Sequence, residues 1–548
     1  MSKSSIVKLS RDQSFKGRFL HNYGYNSTYF DFLRKYKDDW QDKLFIINEK
    51  ITKKYVQYAK PIATLTEEEL NIGDLTITEL SQDAIESIFT NDIPMKILYG
   101  KEAHQINLTT MDSTVDLKKL VKRNALLLSP GGQITSLSWL PQRLEESTPK
   151  VNYLAVALIN NPNGVSDSII NPELSMYNGN TTNHTINSAV QIWKHDLNTN
   201  ELSLEHMLVT TDIGATSDLT WCPMYITEGD TLGVLAGSFT DGNLHLLKIT
   251  KNLPKFAKVD KTSIRYRCHY SPVPQKSDPC NNITTFSFLG LDKVMVGTTD
   301  GFIAEYILPF KRKQDPDFEN DNLSVPCSMI KMAEGPISSV VAAEYDSGEY
   351  VILINTTSPL TFVYDYNNPI QEFHSPVLSR STLPPSYNYV LRNFTVAPTI
   401  DSLGYIFLRN PQENGNSILK LDSYIKCNHA SEILGHPLNI SGTTSGQILM
   451  LNYVRKIVNG SKTSNKFLVP LQLWKFKEDQ QENPGLVVLQ ADFGRIPVDT
   501  PVEMSVMPPE VTVSATAWNE NIHGSSVYAA GTVSGVLLIE RLDPTYRK

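Results

Sequence analysis

One short phrase recurs four times along this 548-residue chain and constrains its fold more than any other feature. Each copy joins a glycine to Ser or Thr, reaches a second glycine and leads into an apolar run; the second glycines are Gly242, Gly301, Gly446 and Gly535. The pattern predicts a β-hairpin whose turn needs glycine at positive φ, most clearly in the two Asp-Gly copies. Repeated hairpins are typical of a β-propeller, whose four-stranded blades recur about every 40–45 residues.

Counting hairpins from Ala125 onward predicts an all-β protein, a seven-bladed WD40-like β-propeller over residues 123–548. Residues 1–122 are expected to form a partly helical N-terminal extension. Only three strands remain for the last blade, so the apolar run 125–128 is expected to supply the fourth and to close the ring. Three long stretches between strands are expected to be loops: 251–280, 310–325 and 366–387.

Five tryptophans end or interrupt strands with alternating apolar residues: Trp139, Trp193, Trp221, Trp474 and Trp518. A tryptophan at such a position fits between neighbouring blades, so all five are interpreted as structural residues. The Trp-Asp signature of ordinary WD repeats is absent, which indicates a divergent propeller.

The extension has its own pattern of apolar residues and charges. Aromatic and leucine side chains recur every three or four residues from Tyr29 to Leu44, which predicts an amphipathic helix, and a shorter helix is expected to start near Thr78. The aromatic stripe can bind a partner or pack on its own domain. Residues 1–60 contain 13 Lys/Arg and 6 Asp/Glu, whereas residues 61–116 contain 2 and 11. This split indicates an arm with an electrostatic role, although two solvated faces explain it as well.

Composition predicts an intracellular, soluble protein. The start of the chain has no secretory signal, and the apolar runs are far shorter than the roughly 20 residues of a membrane helix. The five cysteines are scattered and lack a Cys-x-x-Cys pair, which argues against a disulfide framework or a zinc site. No membrane association is expected.

The motifs of catalysis are missing from the sequence. It contains no phosphate-binding loop and no Gly-x-Gly-x-x-Gly fingerprint. Ser445 and Ser534 lie one place too late for a nucleophile elbow and belong to predicted hairpin turns. The sequence therefore predicts a protein that is not an enzyme and that has no catalytic residues, metal or cofactor.

One basic stretch is a candidate contact for DNA or for an acidic partner. It contains Lys251, Lys255, Lys258, Lys261, Arg265 and Arg267. Lysine and arginine can neutralise phosphates, but the net charge of −8 argues against a protein that binds nucleic acid by itself. A solvated face explains the stretch equally well.

Four phrases, taken in order, resemble a known family. They are Gly131 to Trp139 with Tyr153 to Ala157, Asp300 to Tyr306, Leu471 to Lys475, and Thr516 to Glu520. In this order they resemble the propeller subunit of the box-B-binding half of fungal transcription factor IIIC, the general factor of RNA polymerase III. The matched positions belong to the scaffold, so no functional residue carries over.

The resemblance implies a nuclear, non-enzymatic subunit that pairs with a second propeller subunit and with the large box-B-binding subunit on the promoters of tRNA genes. Members of that family begin with a long basic tail that carries a minor-groove hook of the Gly-Arg-Pro-Arg-Lys type, which this chain does not show. DNA contact by this chain is therefore expected to be weak or indirect.

Two other functions remain open. The alternative is a peptide-binding WD-repeat scaffold of another intracellular complex, because the fold alone does not determine the function. A propeller hydrolase or lectin needs polar or metal-binding residues that converge on the central channel, which the hairpins do not supply.

Overall fold

The computed structural model describes most of the chain, and the structural statements below refer to those residues. They are 16–17, 19–41, 47–90, 92–111, 114–160, 187–269, 280–310, 323–346, 348–358, 360–368, 374–377, 381–409, 416–459, 467–479, 486–496 and 508–542. Within these ranges, no helix is long and apolar enough to cross a membrane.

The extension consists of short helices and strands. Its helices are α1 (Ser27–Gln41), α2 (Glu49–Tyr55), α3 (Gln82–Ile88) and α4 (Lys118–Val121). Its strands are β1 (Ala63–Leu65), β2 (Thr76–Glu79), β3 (Ile93–Tyr99), β4 (Glu102–Leu108), β5 (Val115–Asp116) and β6 (Ala125–Leu128). The first predicted helix is confirmed as α1. The second starts later than predicted, because the Ser81 hydroxyl caps α3 and the residues before it form β2.

The rest of the chain is almost entirely strands. The first half contains β7 (Gln133–Trp139), β8 (Val151–Asn160), β9 (Asn187–Asp196), β10 (Glu201–Val209), β11 (Thr216–Trp221), β12 (Met224–Ile226), β13 (Thr231–Phe239), β14 (Leu244–Thr250), β15 (Phe256–Lys261), β16 (Ile264–Tyr266), β17 (Cys268–His269), β18 (Cys280–Asn281), β19 (Ile283–Leu289), β20 (Lys293–Thr298), β21 (Phe302–Ile307), β22 (Leu323–Ser324) and β23 (Ser328–Lys331).

The second half contains β24 (Ile337–Asp346), β25 (Glu349–Thr356), β26 (Thr361–Asp365), β27 (His374–Val377), β28 (Ser386–Asn388), β29 (Asn393–Val396), β30 (Ser402–Phe407), β31 (Asn416–Lys420), β32 (Ile425–Ala430), β33 (Leu438–Thr443), β34 (Gln447–Asn452), α5 (Val454–Asn459), β35 (Leu471–Glu478), β36 (Val487–Gln490), β37 (Gly494–Arg495), β38 (Val513–Trp518), β39 (Val527–Thr532) and β40 (Leu537–Arg541).

The strands form a β-propeller. Six blades, rather than the predicted seven, are made of four strands that follow one another along the chain. In order they are blade 1 (β7, β8, β9, β10), blade 2 (β11, β13, β14, β16), blade 3 (β19, β20, β21, β23), blade 4 (β24, β25, β26, β27), blade 5 (β28, β29, β30, β31) and blade 6 (β32, β33, β34, β35).

The last three strands do not make a blade by themselves, because the chain has no further strand after β40 in the described residues. They form a sheet with β6, which pairs antiparallel with β40, and β5 adds an outer strand. We call β38, β39, β40 and β6 the closing sheet. Strand β38 contacts both β32 of blade 6 and β7 of blade 1, so this sheet lies between the two ends of the row of blades.

The four repeated phrases form the predicted hairpins. Gly242, Gly301, Gly446 and Gly535 have φ values of +81°, +76°, +80° and +86°. A side chain is also excluded for a second reason at Gly301, where a Cβ would lie 2.0 Å from the carbonyl oxygen of Ala333. These turns all join the second and third strands of their sheets, so they lie on one face of the ring, which we call the turn face.

The aromatic stripe of α1 packs on the propeller, which decides between the two interpretations of this helix. Tyr36 and Trp40 are each 1% exposed, and Phe32 stacks on Tyr58 with ring centroids 3.9 Å apart. The Tyr36 hydroxyl donates to the carbonyl oxygen of Gly435, which follows the first strand of blade 6.

Other parts of the extension add strands to the sheets. β2 pairs with β15 beside blade 1, and β3 pairs with β36 beside blade 6 and carries β4 on its outer side. The extension is therefore part of the propeller's sheets.

A buried ion pair lies where the closing sheet meets blade 6. Arg123, just before β6, donates to the two carboxylate oxygens of Glu540 on β40 at 2.8 and 2.6 Å, and their side chains are 5% and 3% exposed. The same carboxylate accepts hydrogen bonds from Trp474 Nε1 at 2.7 Å and from the Tyr528 hydroxyl. Arg123 also donates to two main-chain carbonyls, those of residues 473 and 491. The Arg123 guanidinium thus joins the start of β6 to β40 of the closing sheet and to the main chain beside β35 and β36 in the sheet of blade 6.

Candidate interaction surfaces

The first strands of the sheets surround a central cavity of about 370 Å³. Polar side chains in its wall connect neighbouring blades. The main-chain N–H of Trp221 donates to Ser138 Oγ at 3.2 Å, and the Asp218 carboxylate accepts from Thr285 Oγ1 at 3.0 Å. These groups therefore join blade 1 to blade 2 and blade 2 to blade 3.

The predicted structural tryptophans are all buried: Trp139, Trp193, Trp221, Trp474 and Trp518 are 7% exposed or less. Trp139 packs in the same apolar cluster as Ala517 of the closing sheet, and Trp221 packs in the same cluster as Ala155 of blade 1. Trp139, Trp221 and Trp518 also contribute to the wall of the central cavity. Their rings lie where sheets meet.

A segment of the extension crosses the end of the cavity opposite the turn face. We call residues 58–66 the strap. The main-chain N–H of Lys60 donates to the carbonyl oxygen of Ile433 at 2.9 Å, and Lys60 Nζ lies 2.6 Å from Glu432 Oε1. A few residues later, β1 pairs in parallel with β12 beside blade 2. Lys60 and Ile62 line the cavity.

A buried carboxylate holds the segment to which the strap is attached. Glu520 accepts hydrogen bonds from Ser431 Oγ at 2.9 Å and from the main-chain N–H groups of Glu432 and Leu434 at 3.1 and 2.9 Å. Burial raises the pKa of Glu520 to about 7 despite these donors. The carboxylate therefore has a structural role, since its oxygens are used to fix the main chain.

The neighbouring histidine is neutral in this environment. Burial lowers the pKa of His429 to about 4, and its Nδ1 accepts from the main-chain N–H of Trp518 at 3.3 Å. In the part of the chain that the structure describes, no three His, Cys, Asp or Glu side chains lie close enough to hold a metal ion. Burial also raises the pKa of the Cys427 thiol to about 11, which makes it a poor nucleophile at neutral pH.

The basic stretch is not the loop that the sequence predicts, and this expectation is corrected. Residues 256–261 form β15, which pairs in parallel with β10 and antiparallel with β2. Its Ala257 and Val259 are fully buried between exposed or half-buried neighbours, the alternation of a strand with one face in the core. Further along, β16 is the fourth strand of blade 2. Most of the expected loop 310–325 lies outside the described residues, whereas the expected loop 366–387 is corrected in part, because it contains β27, the fourth strand of blade 4, and the start of β28.

The six basic side chains differ in their exposure and in their partners. Lys258 Nζ lies 2.7 Å from Asp212, and Lys251 Nζ donates to a main-chain carbonyl oxygen at 3.3 Å. Lys255 and Lys261 are exposed, whereas Arg265 and Arg267 are half-buried in or beside β16. A role for these residues in DNA or partner contact stays a prediction.

Sequence reasoning missed the strap and its attachment. Lys60 and Glu432 are 372 positions apart, and neither belongs to a motif. The sequence feature nearest to the strap is the net negative charge of residues 61–116. The carboxylates of this segment make other contacts. An example is Lys248 Nζ, which lies 2.9 Å from Asp74.

The chain is similar to two curated fungal proteins. It is 24% identical over 441 residues to the transcription factor tau 91 kDa subunit of Saccharomyces cerevisiae, a match that covers 77% of this chain and 58% of that protein. It is 20% identical over 439 residues to the transcription factor tau subunit sfc6 of Schizosaccharomyces pombe, which covers 79% and 67% of the two chains. No protein-family model matches. Both relatives are transcription factor IIIC subunits, so the resemblance carried by the four phrases is confirmed.

Proposed function

We propose that this chain is a non-enzymatic scaffold subunit of transcription factor IIIC. The observation that carries the proposal is the similarity to two tau subunits over about 440 residues, which includes most of the propeller. The structural role of Glu520 in the cavity wall is consistent with a scaffold. The match spans 58% of the length of the first relative, so the partners and the DNA target of that whole protein are part of the proposal.

We further propose that the closing sheet acts as a seventh blade and that the propeller domain starts near residue 123. In support, β38 contacts the sheets on both sides of it, and β6 gives it four strands. The chain would then present a complete ring to a second propeller subunit. The large box-B-binding subunit is the other proposed partner, and the site of action is the nucleus.

The test is to purify the full-length tagged chain from cells under mild conditions and to identify the proteins that accompany it. Recovery of a second propeller subunit and a large DNA-binding subunit in constant ratio supports the proposal. Recovery of a different complex, without these two subunits, contradicts it and supports a scaffold function elsewhere.

The DNA contribution of the chain is tested separately. We expect the isolated chain to bind a tRNA gene no better than random DNA and hardly at all near physiological salt. The basic stretch is too small to contact many phosphates, so its binding would release few counterions. The complete assembly is expected to lose affinity when box B is mutated. Lys255→Glu/Lys261→Glu, two exposed changes in the basic stretch, is compared with the exposed change Lys101→Glu as a control. Specific, salt-resistant binding by the isolated chain would contradict this division of roles.

A further inference from the structure

A second group of lysines lies on the turn face, at blades 5 and 6. Lys420 ends β31, Lys426 lies in β32, and Lys475 and Lys477 lie in β35. We call these four residues the lysine patch. Lys426 lies in the bulge beside Thr443 and Lys475 pairs with Gln447, so the two flank the Gly446 turn from opposite sides.

Among the described residues, three lysines of the patch lack the carboxylate partner that some other lysines have. Lys60, Lys248 and Lys258 each lie within 3 Å of a carboxylate oxygen. Among the described residues, no ion pair or hydrogen bond is found for the side chains of Lys420, Lys475 or Lys477. Burial and the nearby charge of Lys477 lower the pKa of Lys475, and Asp422 opposes this only in part. An anion at this place would therefore meet positive charge that the chain itself leaves uncompensated.

Two large apolar side chains are exposed beside these lysines. Ile400 is 38% and Tyr424 is 41% exposed, in a chain whose described surface contains few exposed residues of this kind. The main-chain N–H of Ile425 donates to the carbonyl oxygen of Ile400 at 2.9 Å, and that of Thr444 donates to the carbonyl oxygen of Tyr424 at 3.0 Å. Both therefore adjoin the end of β32 that carries Lys426.

We propose that the lysine patch, together with Ile400 and Tyr424, binds an acidic segment of a partner protein that also carries apolar side chains. Carboxylates of the segment would meet Lys420, Lys475 and Lys477, and its apolar side chains would cover the two exposed residues. A phosphate backbone would use the charges but leave Ile400 and Tyr424 in water, and the net charge of −8 opposes a polyanion at long range. The inference goes beyond the proposed function and holds whichever complex contains the chain.

The probe is a fluorescein-labelled peptide in which Glu or Asp alternates with Leu and Phe, titrated with the full chain and followed by fluorescence anisotropy. We expect Lys475→Gln/Lys477→Gln to weaken binding about tenfold, which corresponds to about 1.4 kcal/mol. Lys475→Arg/Lys477→Arg is expected to retain binding, because it keeps the charge. Tyr424→Ala is expected to weaken binding to a similar degree, since it removes the apolar contact.

The matched control is Lys50→Gln/Lys150→Gln, which removes two exposed lysines outside both the basic stretch and the lysine patch and should leave binding unchanged. A peptide with the same acidic residues but Ser in place of Leu and Phe should bind more weakly. Each variant is checked by its thermal melting, so that loss of binding is not confused with unfolding. Purification of the complex with the patch variants shows separately whether the proposed function stands.

The proposal is overturned if the apolar-acidic peptide does not bind the full chain, or if it binds equally well to Lys475→Gln/Lys477→Gln and to the control. It is also overturned if a mixed-sequence DNA duplex binds more tightly than the peptide and loses that affinity on the same Lys475→Gln/Lys477→Gln change. In that case the surface binds nucleic acid.

Discussion

Replacing Arg123 by methionine tests how strongly the closing sheet depends on its buried ion pair. Methionine fills much of the same space but leaves the Glu540 carboxylate buried, with hydrogen bonds from Trp474 and Tyr528 and no positive charge. Loss of one member of a buried pair costs about 3–5 kcal/mol, because the remaining charge cannot return to water. We expect the free energy of unfolding of Arg123→Met to fall by about that amount.

A second substitution in the same pair is expected to restore stability. In Arg123→Met/Glu540→Gln the side chain at 540 is neutral, and its amide oxygen can still accept hydrogen bonds from Trp474 and Tyr528. Replacement of both members of a buried pair by uncharged groups is often close to neutral. The double variant should therefore be more stable than Arg123→Met alone. If the two sites were independent, their costs would add and the double variant would be less stable than either single variant.

Urea denaturation followed by tryptophan fluorescence measures both quantities, with the midpoint and the slope fitted separately. Lys255→Met, an exposed lysine changed to the same residue, is the control and should cost little. A cost for Arg123→Met of less than about 1 kcal/mol, the usual contribution of a surface ion pair, would refute the reasoning. A double variant that is less stable than Arg123→Met would refute it as well.

Three further results are expected. Trp139→Ala should lower the melting temperature sharply, by a loss of about 3–5 kcal/mol for a buried tryptophan, and unchanged melting would show that the ring is not needed for packing. Leu127→Asp, which places a charge in the buried strand β6 of the full chain, should give an aggregating protein in gel filtration, whereas the exposed change Lys119→Asp should not; equal elution of the two variants would argue against closure by that strand. Glu520 has a folded pKa of about 7, above its ordinary 4.5, so its contribution to stability is complete below pH 4.5 and is lost as the pH rises through 7. Unfolding free energies measured across this range should fall less in Glu520→Gln than in the parent protein, and equal slopes would contradict a titrating Glu520.

The sequence was informative about local structure because strands and turns are encoded by neighbouring residues. Alternating apolar residues and the positive-φ glycines predicted the hairpins, and the three- and four-residue steps predicted α1. The sequence was less informative about the strands that are added at the outer edges of the blades. The run around Val259 alternates in the way a strand requires, but the charges from Lys251 to Arg267 favour a loop, so the sequence does not predict β15.

The interaction surfaces were harder to predict, because their residues are distant along the chain. Lys60 and Glu432 meet only after the ring has formed, and Lys420 and Lys475 come from different blades. A pattern of neighbouring residues in the sequence cannot predict which strands of different sheets lie next to each other. The predicted count of seven includes the sheet completed by Ala125–Leu128, a pairing that the structure contains, whereas six blades take all four strands from one continuous stretch of the propeller.

The position of β6 has a consequence for how the protein is made. Arg123 and Glu540 are 417 positions apart, so about that many residues are translated between β6 and β40, the strand with which it pairs. Until then Ala125–Leu128, which is fully apolar and becomes buried in the finished ring, has only the short β5 beside it, and its other edge is unpaired. Contacts of such long sequence separation form slowly, and unpaired apolar strands aggregate. Synthesis of this chain is therefore expected to depend on chaperones that shield the start of the propeller while its last strands are being translated.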